Sequence, residues 1–440
     1  MVKKVGENSK SVLIIGAGIA GIQAALDLGD MGINVHLVEK NPCIGGRMAQ
    51  LDKTFPTLDC SICILAPKLS ECYRHPNITL YALSEVQKVE GKVGNFTIEV
   101  LRHARYVKED LCTNCGDCAE ICPVRGVKND FDAGLMTHAA IFIPFPAAVP
   151  PVYMIDKEAC VYLNYGICGL CAQKCGIEAI DLSQKDTVIT LDDVSAIIVA
   201  TGLDMIESIV PLRRYGYGIY QNVVSAMEFE RLICASGPQA GHLKRISDGG
   251  DPKKIAFLQC IDSRTQRAQK YCSSICCMYT TKEAMVAFEH NDELESYVFY
   301  IDMRAGGKGF QKFLRRGKDE YNIKYIKSKI AQVKIDENES PVIVYEDLDS
   351  GEIKQMTVDL VVLATCIIPT VGINKLADIL GIELNDYNYV KTDPFFPVES
   401  SKEGIFTCGC AREPMDIPRS VAEASGAAAR AAQVIKGGSN

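Results

Sequence analysis

Cys112, Cys115, Cys118 and Cys122, the last followed by Pro123, carry the C-x2-C-x2-C-x3-C-P run. That spacing wraps three thiolates around one face of an iron–sulfur cubane and sends the fourth cysteine to a neighbouring cluster. A second set follows in Cys160, Cys168, Cys171 and Cys175. Crossed ligation gives Cys112, Cys115, Cys118 and Cys175 to one 4Fe-4S cluster and Cys122, Cys160, Cys168 and Cys171 to the other. Zinc ribbons are the competing reading, but they use separated CxxC pairs without a trailing C-x3-C. Gly176 stands where a proline usually follows the last cysteine, and the gap before Cys168 is wide. Both features bear on the second cluster's surroundings and potential more than on its existence.

A different chemistry is written at the start of the chain. Ser11–Ile15 reads as a buried strand, Gly16-Ala-Gly18-Ile-Ala-Gly21 follows, a helix is expected over 22–31, and the strand Asn34–Val38 ends at Glu39. A strand, three glycines, a helix and an acid some twenty positions on form a dinucleotide-binding βαβ unit. Gly16 permits the tight turn, Gly18 lets a pyrophosphate reach the backbone, and Gly21 lets helix and strand pack closely. The helix N-terminus offers free N–H groups to the phosphates, and Glu39 is placed to accept ribose hydroxyls. Against this stands the bland alternative of three glycines in a packing turn.

A second strand-to-turn unit begins at residues 254–259. Where a nicotinamide site needs glycines, the chain has Cys260-Ile-Asp-Ser-Arg-Thr, so NAD(P)H binding is not expected there. Cys260, Cys272, Cys276 and Cys277 offer four thiols for a third cluster; buried inert thiols are the alternative, and the adjacency of Cys276 and Cys277 is awkward for one cubane face.

Those elements need a scaffold. With 440 residues, 48% of them hydrophobic, the chain can bury two or three cores. A formal net charge of −8 argues against a general nucleic-acid binder. No apolar run approaches the roughly 20 residues of a membrane span. The N-terminus lacks the apolar core of a signal peptide, so a cytoplasmic location is expected. Twenty cysteines at short gaps fit a reducing, oxygen-poor cell better than a disulfide framework.

Composition turns rich in Cys, Gly and Pro between 104 and 181, and strand patterns resume at 187–190 and at 195–201, which ends in Ala200-Thr201-Gly202. The organisation expected is therefore a dinucleotide domain in three parts, 10–103, 182–215 and 356–440, interrupted by a ferredoxin-like insertion over 104–181 and a second Rossmann-like domain over 216–355. Further elements are expected at 280–290 (helix), 297–302 (strand), Leu360–Thr365 (strand) and 420–435 (helix).

Of the remaining cysteines, Cys60 and Cys63 sit two apart with Cys43 and Cys72 nearby. Packing or a place beside a flavin is the favoured reading, a further cluster the alternative. Cys234 and Cys366 read as buried thiols, and the six histidines show no ligand pair at helical spacing.

Together these motifs resemble the A-type flavoprotein component of heterodisulfide reductases, a family of methanogenic archaea and anaerobic bacteria. The match is carried by Glu39-Lys40 leading to Gly45-Gly46-Arg47, by Asp59-Cys60-Ser-Ile-Cys63 through Lys68, and by the Cys-rich insertion. Phe229-Glu230-Arg231-Leu232, the Cys272–Cys277 run continuing to Lys282, and Arg304-Ala-Gly-Gly-Lys308 extend it over nearly the whole chain. The resemblance implies an α/β, thioredoxin-reductase-like fold of tandem Rossmann domains, one for FAD and one degenerate, with an inserted two-cluster ferredoxin unit.

It implies FAD contacts from Gly16, Gly18, Gly21, Glu39, Lys40, Gly46, Arg47, Thr201, Gly202 and Gly409. Cys408 and Cys410 flank Gly409 where such flavoproteins usually have Gly-Asp, so that contact must come from backbone. It also implies a third cluster at Cys260, Cys272, Cys276 and Cys277, and a catalytic pair, Glu230 and Lys282, beside the flavin. The partners implied are B- and C-type reductase subunits, ferredoxin, and a linker subunit of a hydrogenase or formate dehydrogenase. They would form an oligomeric complex, with electron pairs split at the flavin. Ile-Asp-Ser-Arg replaces the family's usual Val-Gly-Ser-Arg, and the family's longer N-terminal domain and C-terminal ferredoxin domain are not in this sequence. Those departures leave a simple flavin relay as the rival reading. An NAD(P)H-dependent disulfide reductase, with Cys60 and Cys63 as its redox pair, lacks the second glycine fingerprint.

Overall fold

The structure, a computed structural model, describes residues 10–437. The N-terminal octapeptide, on which the leader reading rests, lies outside them. The described chain divides into two units. One runs to Ala49 and adds Ile64–Leu203 and the stretch from Pro369 on; the other holds Gln50–Cys63 and Asp204–Ile368.

In the first unit β1 (Ser11–Ile15), α1 (Ile19–Asp30) and β2 (Asn34–Val38) form the expected βαβ unit, α1 starting a turn earlier than the pattern suggested because Gly18 itself is its N-cap. All five β1 residues are buried, which explains a continuous apolar run rather than an alternating one. The helix α2 (Ser61–Arg74) precedes β3 (Ile78–Tyr81), β4 (Ser84–Lys92) and β5 (Asn95–Arg102). The insertion contributes three five-residue helices, α3 (Asp117–Ile121), α4 (Val161–Tyr165) and α5 (Leu170–Lys174). Then comes β6 (Thr187–Val199).

The sheet order is β3-β2-β1-β6-β5-β4, with Ile405–Thr407 also paired to β6. The first four strands run parallel, and β5 pairs antiparallel with the first half of β6. The two strands expected at 187–190 and 195–201 are one. Asp192 and Asp193 look like a turn in sequence, but Asp193 takes φ +56° and the ladder shifts register between Leu191 and Val194. A bulge lets one strand serve two neighbours. Leu13, Phe96, Ile98, Val100, Ile197 and Val199 join one core cluster.

The second unit holds β7 (Val223–Ser225), α6 (Ala226–Ile233), β8 (Lys254–Ile261), α7 (Cys276–His290), β9 (Glu295–Tyr300), β10 (Lys324–Ile335), β11 (Pro341–Asp347), β12 (Ile353–Thr357) and β13 (Leu360–Thr365). Its order, β7-β13-β8-β9-β10-β11-β12, is parallel from β7 to β10 and antiparallel beyond. Its core gathers Ala256, Leu258, Phe299, Val361 and Leu363. In both sheets the central strand, β1 or β8, has neighbours on opposite sides that are reached by different connections. The C-terminal ends of such strands are where open α/β sheets bind their ligands. Among the described residues no helix is long and apolar enough to cross a membrane.

Candidate functional site

At the end of β1 the three glycines differ in what surrounds them. A Cβ on Gly16, which has φ +100°, would lie 2.4 Å from the Ala200 carbonyl oxygen, and one on Gly21 would lie 1.9 Å from the Gly16 oxygen. Both positions are closed to any side chain. A Cβ on Gly18 would meet nothing within 4 Å. Gly18 is therefore glycine for a reason other than internal packing, and open space above a helix N-terminus with no side-chain cap is what an approaching phosphate needs. Gly46 has φ +56°, and a Cβ there would sit 2.9 Å from the Gly18 Cα. The Gly45 N–H donates to the Ala17 carbonyl at 2.8 Å, so the two glycine segments line one cradle.

Glu39 is buried at the end of β2. One carboxylate oxygen accepts the Ala17 N–H at 2.7 Å, and the other accepts the Asn41 N–H at 2.9 Å and side-chain amide at 2.8 Å. Burial pushes its pKa up, and these hydrogen bonds, with the charge of Lys40, pull it back. Lys40 is exposed and Arg47 half-buried. The Thr201 hydroxyl is buried without a partner while its carbonyl accepts from Thr370 at 2.8 Å, and Gly202 has φ +78° with open space beside it. An orphaned hydroxyl next to an uncluttered glycine fits a bound cofactor. Gly409 packs against α1, a Cβ there falling 3.1 Å from the Ala20 Cβ. Its N–H, the expected backbone donor, is engaged by Glu423 at 3.2 Å, which also pairs with Arg412.

The insertion folds around its own small core of Tyr106, Val107, Ile141, Val152, Ile155 and Ala179, against which Cys112, Cys118, Cys122, Cys160, Cys171 and Cys175 pack. Its halves echo each other. Gly116 (φ +93°) and Gly169 (φ +88°) are left-handed N-caps of α3 and α5, each between two cysteines of the run. Cys115 and Cys168, each directly before its glycine, are exposed. One pocket is lined by Cys122, Cys160, Cys168 and Cys171, with Pro123 and Ile141 among its walls. That is the crossed set expected from spacing. Burial pushes the Cys171 thiol up to about 11, with Cys160, Cys122 and Cys168 adding negative charge. Cys118 is pushed up to about 12, chiefly by burial and then by Cys112, Cys115 and Cys171. Thiols crowded this way ionise only when cations join them, and ligated thiols are thiolates. Among the described residues no group of three or more His, Cys, Asp or Glu is arranged to hold a single metal ion. A cubane takes one thiolate at each of four separate irons.

In the second unit Cys260 lies at the end of β8 and Cys276 and Cys277 open α7, both buried. The expected start at Thr280 was late because cysteines read as loop ligands form this helix's first turn. Cys260, Asp262, Arg264 and Ser274 all take positive φ, so the turn bends sharply without glycine. Cys260 is pushed up to about 11 by burial and by the charge of Cys277 and Cys272, with Arg264 opposing. The Cys276 thiol hydrogen-bonds Cys277, which raises the former and lowers the latter; the Arg304 N–H also donates to the Cys277 Sγ, at 3.4 Å. All four expected thiols thus share one neighbourhood.

Glu230 on α6 and Lys282 on α7 form an ion pair with both side chains 2% exposed. The other Glu230 oxygen accepts the Asp52 N–H at 2.7 Å. Sequence reasoning missed Glu283. It is buried beside this pair, and burial, then the negative charge of Glu230 and a hydrogen bond to it, hold its carboxyl well above the usual range despite Lys282. The signal was a Lys-Glu dipeptide directly before the apolar run 284–288, since paired charges are nearly the only ones that bury.

Sequence comparison places these features in a family. Over 430 residues, 97% of this chain, it is 45% identical to the A-type iron-sulfur subunit of the CoB–CoM heterodisulfide reductase of Methanocaldococcus jannaschii, covering 64% of that protein. A protein of Archaeoglobus profundus, named as like the A component of heterodisulfide reductase, is 40% identical over 98% of this chain and 67% of its own length. The chain belongs to the heterodisulfide reductase A-subunit family. It spans about 64% of the length of the M. jannaschii family member.

Family models agree with the two motifs: residues 11–56 match the FAD dependent oxidoreductase family and residues 105–127 the 4Fe-4S binding domain. The fold of this chain is like that of thioredoxin reductase. The Lactococcus lactis enzyme superposes with a TM-score of 0.53 over 98% of this chain and 100% of its own at 15% identity, and that of T. acidophilum with 0.51 over 97% and 98% at 14% identity. FAD and iron–sulfur clusters are the cofactors of this family member.

Proposed function

We propose that the chain is the FAD- and iron–sulfur-dependent electron-transfer subunit of a cytoplasmic heterodisulfide-reductase-like complex, and that it splits or merges electron pairs at the flavin. One observation carries this reading: a phosphate-ready glycine cradle and an eight-cysteine insertion are built into the same unit. When bound, FAD exchanges electrons in pairs or singly, whereas each cluster passes one.

The chain's own residues supply position and charge. Gly16, Gly18 and Gly21 admit the pyrophosphate, Glu39 takes the ribose, and Lys40, Gly46, Arg47, Thr201, Gly202 and Gly409 complete the cofactor's surroundings. Two clusters are assigned to Cys112, Cys115, Cys118 with Cys175, and to Cys122, Cys160, Cys168 with Cys171; a third is assigned to Cys260, Cys272, Cys276 and Cys277. Glu230 and Lys282 are the proposed catalytic pair, and Glu283 lies buried beside them with its carboxyl pushed upward by burial.

Two relatives support the partner set by their names. One is the A component of an H2:CoB–CoM heterodisulfide,ferredoxin reductase from Methanothermobacter thermautotrophicus, 43% identical over 99% of this chain. The other is that of an H2/formate:CoB–CoM heterodisulfide,ferredoxin reductase from Methanococcus maripaludis, 43% identical over 98%. The set comprises B- and C-type subunits, a hydrogenase or formate dehydrogenase linker and ferredoxin. The test is reduction of ferredoxin by the purified complex with a heterodisulfide as co-acceptor. Bifurcation requires ferredoxin reduced beyond the donor's own potential; reduction only to that potential leaves a one-path relay.

A further inference from the structure

Of the 20 cysteines, twelve fall in the three cluster sets, and the other eight do not behave alike. Cys72, Cys366, Cys408 and Cys410 are buried. Burial pushes Cys43 and Cys72 up to about 12 and Cys410 to about 11, and raises Cys366 and Cys408 as well, so these are inert thiols. Cys234 is buried against Ser236. Cys60 and Cys63 stand apart. They are joined in a disulfide while the other eighteen cysteines are free.

The bond lies at the surface. Cys63 is exposed, Cys60 half-buried, and Ile64 beside them is 41% exposed. Cys60 directly precedes the 14-residue helix α2, whose first turn carries no acidic residue, and the Cys63 N–H already points at the Cys60 Sγ at 3.3 Å. A helix N-terminus and an aimed N–H both favour a thiolate there. The surrounding hairpin is rigid: Thr54 N–H to Asp59 carbonyl at 2.8 Å, Leu58 N–H to Thr54 carbonyl and Ser61 N–H to Asp52 carbonyl both at 2.9 Å. It is also not idle, since its Asp52 N–H is the donor to Glu230. In a protein whose other chemistry needs reduced thiols, a disulfide at the surface is more often transient and redox-active than structural.

We propose that Cys60 and Cys63 form a two-electron dithiol–disulfide couple that exchanges with an external dithiol, a redox site separate from the flavin and the clusters. One thiolate of the dithiol attacks the exposed Cys63 Sγ. The Cys60–Cys63 bond breaks and Cys60 leaves as a thiolate, received by the Cys63 N–H. The second thiol of the reductant then attacks its own sulfur in the mixed disulfide and frees Cys63. Two electrons and two protons pass to Cys60 and Cys63, and the reductant departs as its disulfide. The inference stands whether or not the flavin bifurcates.

The experiment is differential alkylation of the anaerobically isolated holoprotein, equilibrated with mixtures of reduced and oxidised dithiothreitol and read by mass spectrometry of tryptic peptide 54–68, which contains no other cysteine. The expected result is a reversible passage from no label to two labels, both appearing together, with iron and flavin content constant. A peptide labelled twice in every mixture, or one that stays unlabelled in excess dithiol until the protein is denatured, overturns the proposal. Cys60→Ser should trap 5-thio-2-nitrobenzoate on Cys63, whereas in the unaltered protein Cys60 expels it. Loss of about four irons in that variant would make the pair cluster ligands instead and would also overturn it.

Discussion

At the end of β1 the chain turns through Gly16 and Gly18 and enters α1 with an uncapped N-terminus and open space above Gly18. At the end of β8 it turns through Cys260, Asp262 and Arg264, all at positive φ, and enters α7 with Cys276 and Cys277 in its first turn. The two turns hold equivalent places at the ligand-binding edge of two similar parallel sheets. In the first, side chains are removed so that backbone can meet a phosphate. In the second, side chains are kept and left-handed residues bring their thiols together. On the proposed assignment this edge provides a location, and the turn residues decide whether an anion or a metal cluster is received there.

The largest expected effect is a double dissociation between the turns. Gly21→Ala drives a Cβ to 1.9 Å from the Gly16 oxygen, so FAD should be lost, with about 3 kcal/mol of stability, while iron in the second unit persists. Cys272→Ala should remove about four irons and leave FAD in place. Flavin absorbance and iron content, measured on both variants, decide it; loss of both cofactors in both would dissolve the distinction.

Next in size is the buried pair. Lys282→Met takes away the ion-pair partner of buried Glu230, at a cost of roughly 3–5 kcal/mol. Lys282→Met combined with Glu230→Gln should recover much of it. Denaturant titration of the single and double variants gives the coupling, and additive losses would contradict a direct pair.

Acid sharpens the comparison from the side of the glycine turn. His36 on β2 is buried, and burial lowers its pKa to about 4 from 6.5. The unfolded chain takes up that proton near pH 6.5 and the folded chain only near 4, so between them the unfolded state binds more protons and stability falls as pH falls. From pH 7 to pH 5 His36 should account for about 2 kcal/mol of loss. His36→Gln should flatten that slope in pH-dependent denaturation; an unchanged slope would show that His36 does not titrate there.

Smallest is Gly18→Ala. Nothing in the fold obstructs the added methyl, so stability should hold. FAD affinity should still drop by about tenfold, or about 1.4 kcal/mol, because the methyl occupies the phosphate's approach. Flavin titration of the apoprotein measures it.

Much of the glycine turn was legible because its constraints are local: residues 11–39 carry strand, turn, helix and acid in one stretch. The eight insertion cysteines were legible for the same reason. What escaped depends on distance. The continuity of β6 rests on a bulge at Asp193, whose two aspartates look like a turn until both neighbours are present. Glu283 reads as a solvent-facing charge until α6 brings Glu230 against it. The engagement of the Gly409 N–H by Glu423 is set by the C-terminal helix Ile417–Gly437 folding back on its own approach segment. The Cys60–Cys63 bond was visible as a spacing, but its exposure was not.

The contrast between the two turns rests on the proposal of one FAD and three clusters in a single chain, and anaerobic quantitation of flavin, iron and acid-labile sulfide tests it most directly. About twelve irons and about twelve sulfides per FAD are expected. About eight of each would remove the cluster assigned to Cys260, Cys272, Cys276 and Cys277, and with it that contrast; a protein with no flavin would contradict the reading of the first turn.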